Sequence, residues 1–584
     1  MTTVQPPTDD IVSLQHRFLK ILQSFLPAGV IALIPMVVFY AGGARSIEPI
    51  NGQDGYAYIG VVARTKDFLT RFPDSYFGTR FGYVLPSDFF HWLFGFEVGH
   101  HIFRFMMLAT AVLMMRIRGK LRFTHTAVAA ILFSISPIVL VSTFSTYTMS
   151  VGALALLCGV LVFAIYENED RPQFVVPALS SALLAVAWNS HLQLLFPSVV
   201  LFGVLIVDRT IRHRGNRMLM LFRYGMAGIA GAAFTCSLGV LILGTRYGIW
   251  NPWAPAFQFA TSESDALFES SGFDWITWRH YVFLAPMSLL IGIAVWTTEV
   301  DPLLRKVVRR MTLVMGALTF SYAFYQWYLR NIAFETFFHS SGLFTVAVCL
   351  IAISAGVFLK RLGSKSILMG LVVILGSILA FVMAPRFSID FSVLLVGVVV
   401  SSATLLFFYY RDESLTALSL FAVVIVASWV TVSSPHDFPS TAGGYRTDPL
   451  YDQALFSYDR SSMDRASVVD EISRMLPSRP EYEGDLKIWF EPTSPIDQLS
   501  GPFLWYRSAL HSPIDPPLPA VTPTVTANLR KHPRFVVIIG KNFEQVRTSS
   551  LEVQKISQYT NLWIRQVQSG NFVATVGLLE AVTE

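Results

Sequence analysis

The sequence predicts an α-helical polytopic membrane protein of about thirteen transmembrane helices, with an α/β domain at its C-terminal end. Three observations carry that fold class. The chain of 584 residues is 53% hydrophobic and only 14% charged, where soluble domains carry about 25% charged residues. Apolar runs of roughly 17–25 residues, the length that spans a bilayer, recur from Phe25 to about residue 432. From Ser433 onward the composition turns to that of a soluble domain. The expected organisation is therefore a membrane module over 1–432, with interfacial helices in the 45–99 loop, and an extracytoplasmic α/β domain over 433–584.

The leader "MTTVQPPTDDIVSLQHRFLK" is polar and ends in basic residues. The apolar run from about Phe25 to Ala41 is read as an uncleaved first span, because it is long for a signal sequence and so is its polar leader. The segment from Phe174 to Val207 is too long for one crossing and is broken by "WNSHLQ", so it is expected to form two short spans joined at that turn. Basic loops fix the orientation. "RIRGKLR", "DRTIRHRGNR", "RKVVRR" and "KRLGSK" all fall on one side, which the positive-inside rule assigns to the cytoplasm; the acidic "YENEDRPQ" breaks the trend. With the N-terminus inside, an odd number of crossings puts the C-terminal domain outside. Cys158, Cys236 and Cys349 all sit in apolar runs, which reads as small core residues rather than a disulfide or metal framework.

In the terminal domain, "LKIWF" from Leu486 and "RFVVIIG" from Arg534 read as strands, the second buried on both faces. "DRASVVDEISRML" has helical spacing of Val468, Ile472 and Met475, and "FEQVRTSSLEVQKISQY" from Phe543 reads as a second helix. "NLWIRQVQSGNFVATVGLL" is predicted to be a hairpin turning at Ser569-Gly570-Asn571. The domain has no phosphate-binding glycine loop, nucleophile elbow or metal motif, which favours glycan or partner binding, or support of the membrane part. No nucleic-acid signature is present.

The outside face gathers the 45–99 loop, the "NSHLQ" turn, the loop from Thr245 to Tyr281 and the short "LRNIAFETFFHSSG" loop. The first of these begins "INGQDGYAYIGVVARTKDFL". After Asp54, Tyr58, Val61, Val62 and Phe68 recur at near-helical spacing with Arg64, Lys66, Asp67 and Arg71 among them, the pattern of an amphipathic helix lying on a membrane. "PSDFFHWLFG" from Pro86 is a second, aromatic candidate, with "FPDSYFGTRFGY" between the two. By itself Asp54 reads equally as a helix cap or a solvated loop carboxylate.

Asp54 and Tyr58 match an Asp-x-x-x-Tyr pattern directly after the first span. With the second interfacial helix, the many spans and the exported domain, the chain resembles the GT-C superfamily of polytopic glycosyltransferases. That resemblance implies a polyprenyl-phosphate-linked sugar as donor, a cell-envelope glycan or lipid as acceptor, and a bacterial inner membrane surrounded by membrane lipids. It implies Asp54 as the base that takes the proton of the attacking hydroxyl, with Tyr58 beside it. Some members carry a further carboxylate at the start of the fourth span. Here that region reads "FSTYTMSVGA", with Tyr147 and Thr148 and no acid, so the sequence calls for no cofactor and leaves a divalent metal open.

A base and a good leaving group suffice for direct displacement with inversion, and the departing phosphate then needs cations or N–H donors. Arg80 in "FGTRFGY" is a candidate for that phosphate, or a headgroup contact. His191 in "WNSHLQ" is a donor to phosphate or a satisfied turn histidine. Arg330, Glu335 and His339 lie near another outer end and read as substrate contacts or as partners of one another. His100 and His101 point in different directions on a helix and do not make a shared metal site. The tryptophans Trp250, Trp253, Trp275 and Trp278 read as an interfacial belt, or as faces for a sugar ring or prenyl chain. Two rival functions stay open: a transporter or flippase of a lipid-linked glycan precursor, and a noncatalytic envelope assembly protein. The lack of charge in most span centres weighs against an ion-coupled carrier.

Overall fold

The computed structural model of the chain describes residues 76–119, 121–134, 148–165, 174–213, 215–262, 534–556, 559–570 and 572–582 continuously, with short stretches and single positions within 28–37, 58–71, 139–144, 313–356, 468–476 and 486–494. Asp54, Arg64, Arg330, Glu335, His339, Trp275 and Trp278 lie outside the described residues.

The described residues are mostly helical. In chain order the helices are α1 (Thr65–Arg71), α2 (Tyr76–Thr79), α3 (Phe81–Phe94), α4 (Phe96–Gly119), α5 (Phe123–Ser134), α6 (Thr148–Ile165), α7 (Val175–Ser190), α8 (Leu195–Arg212), α9 (Arg217–Tyr247) and α10 (Trp253–Ser262). Among them, Val98–Arg116, Leu192–Arg212 and Arg217–Tyr247 are long and apolar enough to cross a membrane, and Thr148–Phe163 and Val175–Ser190 are shorter apolar helices. The predicted break inside 174–207 is present. After α7, His191 takes an extended backbone (φ −145°, ψ 112°), a 3-10 turn covers Leu192–Leu194, and α8 follows.

Helix α9 shows both end signals that the local chemistry demands. The Asn216 side chain accepts from the Leu219 N–H at 3.1 Å, satisfying one orphan donor. At the other end Gly248 adopts φ 77° and its N–H bonds back to Gly244 and Leu243, a left-handed cap that other residues reach only with strain. Its 31 residues would extend to about 46 Å at 1.5 Å per residue, well beyond a hydrocarbon core of about 30 Å.

Helix α6 forms the centre of the bundle. Every residue from Thr148 to Phe163 is buried, as expected for a helix that is apolar on all sides. It packs against α4 and α7. Small and hydroxylated residues make the close approaches: the Ser180 hydroxyl donates to the Gly159 carbonyl at 2.7 Å, and the Ser181 hydroxyl to the Gly228 carbonyl at 2.6 Å. Interhelical packing in membranes favours such residues because lipid offers no hydrophobic drive between helices.

The second aromatic helix differs from its sequence expectation in one respect. It starts at Phe81 rather than Pro86, and Pro86 lies inside it. Its first residues are recruited by packing: Phe81, Gly82, Tyr83 and Val84 are all buried, while Phe89, Trp92, Leu93 and Phe94 beyond the proline are exposed apolar residues. That division suits a helix seated on the bundle at its start and on lipid further along.

In the C-terminal region, strands β1 (Leu486–Phe490), β2 (Phe535–Gly540), β3 (Tyr559–Ser569) and β4 (Phe572–Ala581) form one sheet in the order β1-β2-β4-β3. β1 and β2 are parallel, and β4 runs antiparallel to both β2 and β3. β2 is buried along its whole length, as its unbroken apolar run predicts. The hairpin turns where the sequence places it, with Gly570 at φ 54°. Helix α11 (Phe543–Ile556) covers one face through Val546 and Val553, which pack with Trp489, Val536, Ile538 and Leu579. The predicted helix around 468–475 is present in its described positions, with Val468 and Ile472 buried.

Candidate active site at one end of the helical bundle

One end of the bundle is built where α3 begins. Arg80 precedes that helix, and its carbonyl accepts from the N–H groups of Tyr83 and Val84 at 2.9 and 3.0 Å, fixing the turn. Its guanidinium donates from Nη1 to Thr148 Oγ1 at 2.8 Å, at the first residue of α6. The same guanidinium lies 5.7 Å from the centroid of the Tyr58 ring, within cation–π range. Tyr58 is fully buried, and its ring contacts Phe77 at 5.2 Å and Tyr83 at 5.3 Å between centroids. Tyr58 and Arg80, two residues predicted for the site, are therefore brought together.

The apolar face predicted after Asp54 is present: Tyr58, Val61, Val62, Phe68 and Leu69 are buried and Lys66 is exposed. The Thr65 hydroxyl donates to the carbonyls of Val61 and Val62, so the turn before α1 is closed on itself.

His191 is buried at the break after α7. Its neighbours Asn189 and Ser190 meet Gly82 backbone to backbone: a Cβ on Gly82 would come within 2.6 Å of the Ser190 nitrogen. His191 thus sits at the same end of the bundle as Arg80. His100 and His101 have ring centroids 5.5 Å apart at 81°, and a His100 ring nitrogen lies 3.3 Å from the Phe144 carbonyl. Among the described residues no group of three or more histidine, cysteine, aspartate and glutamate side chains converges.

The loop after α9 folds onto this end. Trp253 Nε1 donates to Asn189 Oδ1 at 2.9 Å, and the ring packs beside Trp188 and Phe81. Trp253 is therefore held by the protein, whereas Trp250 is 61% exposed.

Three residues that matter here were not singled out by sequence reasoning. Arg104, Tyr83 and Asp88 each sit in aromatic or apolar stretches. The one available signal was an arginine inside a spanning run, which is costly and so calls for a named partner. Arg104 has several: Nη2 donates to Ser150 Oγ at 2.8 Å, and its guanidinium lies 5.2 Å from the Phe103 ring and 5.8 Å from the Tyr83 ring. Burial pushes the Tyr83 phenol up to about 12, partly offset by Arg104, so this ring is neutral across the physiological range.

Asp88 lies 3.8 Å from Arg246 at the end of α9. Burial raises its pKa above 3.8, against the opposing pull of Thr65, Arg246 and His91. A carboxyl whose folded pKa is raised binds more protons folded than unfolded, so its contribution to stability falls as pH rises. We expect the wild type to lose thermal stability relative to Asp88→Asn as pH climbs from about 4 upward through the raised value. Parallel melting curves of the two proteins across that range would sink this expectation.

No protein-family profile matches the chain, and no curated protein matches it. Among solved structures, the chain is similar to ArnT from Cupriavidus metallidurans bound to undecaprenyl phosphate, at 13% identity and a TM-score of 0.48, over 94% of this chain and 97% of that one. The apo form of the same protein matches at 14% identity and a TM-score of 0.45, with the same coverage. At such identity and superposition, the chemistry of this site is read from its own residues.

Proposed function

We propose that the chain is a membrane glycosyltransferase that moves a sugar from a polyprenyl-phosphate donor to a cell-envelope glycan or lipid at the outer face of the membrane, with inversion at the anomeric carbon. The observation that carries this reading is the placement of Arg80, which donates to Thr148 at the first residue of α6 and lies over the ring of Tyr58, four residues after Asp54. A donor of this class has a prenyl tail that belongs among lipids and a sugar phosphate that belongs in water. A site at the junction of a bundle and its interfacial helices accommodates both.

Asp54 is the base in this reading. A carboxylate within reach of the attacking hydroxyl accepts its proton as the new C–O bond forms and the phosphate oxygen leaves with the bonding electrons. Arg80 supplies a cation for the departing phosphate, where fixed charge is worth more than in water. His191, Arg330, Glu335 and His339 are further candidates for donor or acceptor contact. The domain over 433–584 binds the acceptor or supports the membrane module. A divalent metal stays open, and divalent-ion dependence is a matter for assay.

The test is transfer by the purified protein in lipid nanodiscs, with a polyprenyl-phosphate pentose or hexose carrying a radiolabelled sugar and an envelope-lipid extract as acceptor. The expected result is label in the acceptor and free prenyl phosphate in equal amounts. Movement of intact donor across proteoliposomes without bond cleavage would replace the enzyme by a flippase.

A further inference from the structure

We propose that Arg104 is a positioning residue for the phosphate site: buried in the spanning helix, it clamps the Tyr83–Tyr58 ring pair that sets the place of Arg80. This rests on the lipid-phosphate reading of the site. The observation is an unbroken series of contacts. Arg104 lies 5.8 Å from the Tyr83 ring, Tyr83 lies 5.3 Å from Tyr58, and Tyr58 lies 5.7 Å from Arg80. Both ends of this arginine–tyrosine–tyrosine–arginine series are tied to one helix. Arg80 donates to Thr148 and Arg104 to Ser150, each at 2.8 Å.

Three arguments separate this arrangement from ordinary core packing. Arg104 is fully buried, and a guanidinium held that way inside a spanning helix is expensive unless its position is used. An apolar side chain of similar length would fill the same space at lower cost. Second, the two rings lie between two cations. Each aromatic face attracts a guanidinium, so the rings space the charges while letting both belong to one cluster. The cluster as a whole biases the local potential toward an anion. Third, Tyr58 is four residues from Asp54, so the same ring pair links the cation side of the site to the segment that bears the base. Arg104 acts through Tyr83 and Ser150.

Positioning of this kind has a signature that simple stabilisation lacks. Loss of Arg104 should weaken binding of a phosphate-bearing prenyl lipid while sparing the same lipid without phosphate. The full-length protein in detergent is titrated with decaprenyl phosphate and with decaprenol, for the wild type, Arg80→Ala, Arg104→Met and Ser150→Ala. The expected outcome is a loss of about tenfold in decaprenyl phosphate affinity for Arg104→Met, close to that of a single charge-assisted contact. A smaller loss in Ser150→Ala and unchanged decaprenol binding in both variants are expected with it. Ser150→Ala leaves the arginine in place, so it answers the question even where Arg104→Met does not fold. Equal weakening toward both lipids in either variant, or no weakening toward either lipid in Ser150→Ala, would overturn the positioning role. A wild type that does not distinguish the two lipids would overturn the phosphate reading itself, and a loss confined to Arg80→Ala would leave that reading standing without Arg104.

Discussion

Replacing Asp54 with asparagine is expected to lower sugar transfer by about 10²- to 10⁴-fold, the range that a positioned general base contributes, while affinity for prenyl phosphate changes little. The reasoning starts from the direction of proton flow. The attacking hydroxyl is a poor nucleophile until its proton has somewhere to go, and the leaving phosphate, already a good leaving group, needs no matching acid. Asparagine keeps the size and one hydrogen-bonding oxygen but cannot take the proton. The loss should therefore fall on kcat, with KM for the donor near its original value. Single-turnover transfer by the purified variant, alongside its melting temperature, checks this. Wild-type turnover in a folded Asp54→Asn protein would remove the base from the mechanism.

The second large effect is structural and lies at two glycines. A Cβ on Gly82 would collide with the Val186 carbonyl oxygen and lie 2.6 Å from the Ser190 nitrogen. A Cβ on Gly231 would collide with the Ala178 carbonyl oxygen and lie 2.7 Å from the Ala178 carbonyl carbon. In both cases the obstruction is backbone, which cannot rotate aside as a side chain can. Overpacking of a tight core costs about 1–3 kcal/mol and occasionally more, and these sites belong at the upper end. Gly82→Ala should also disturb activity, because Gly82 joins α3 to the end of α7 two residues from Arg80. Gly231→Ala lies away from that end and should lower stability with less effect on turnover per folded molecule. Thermal unfolding in detergent, followed by activity normalised to folded protein, separates the two. A melting temperature unchanged in both variants would contradict the close approach.

Much of the architecture was readable from local signals. The hairpin at Ser569-Gly570-Asn571 announces itself through a turn sequence between two apolar-rich strands. The break at "WNSHLQ" follows from arithmetic, since its flanking apolar run exceeds one bilayer crossing. β2 reads as a strand buried on both faces because its apolar residues do not alternate. The amphipathic stretch after Asp54 keeps its apolar face inward, as its spacing requires. What stayed hidden depends on contacts between distant segments. Nothing near "GHHIFRF" says that its arginine will meet Ser150 and Tyr83: an arginine inside a spanning run calls for partners without naming them. The start of α3 at Phe81 was equally hidden, because Phe81 and Gly82 are helical through their fit against α7 and α9, and Pro86 drew the expected boundary too late. Asp88 met the same obstacle: its partner Arg246 lies at the far end of another helix.

Helix α6 has a consequence for how the protein is assembled. It is a shorter apolar helix, and in the folded state its residues from Thr148 to Phe163 are all covered by neighbours. A helix of this kind that entered a bilayer before docking would exchange a coat of acyl chains for a coat of protein. Because lipid and leucine are nearly equivalent solvents, that exchange is rewarded by fit rather than by apolarity. Slight enlargement at Gly152 or Gly159, each facing a neighbouring leucine, should leave membrane insertion intact and stall the later docking, so that the newly made chain accumulates as an inserted but protease-sensitive precursor.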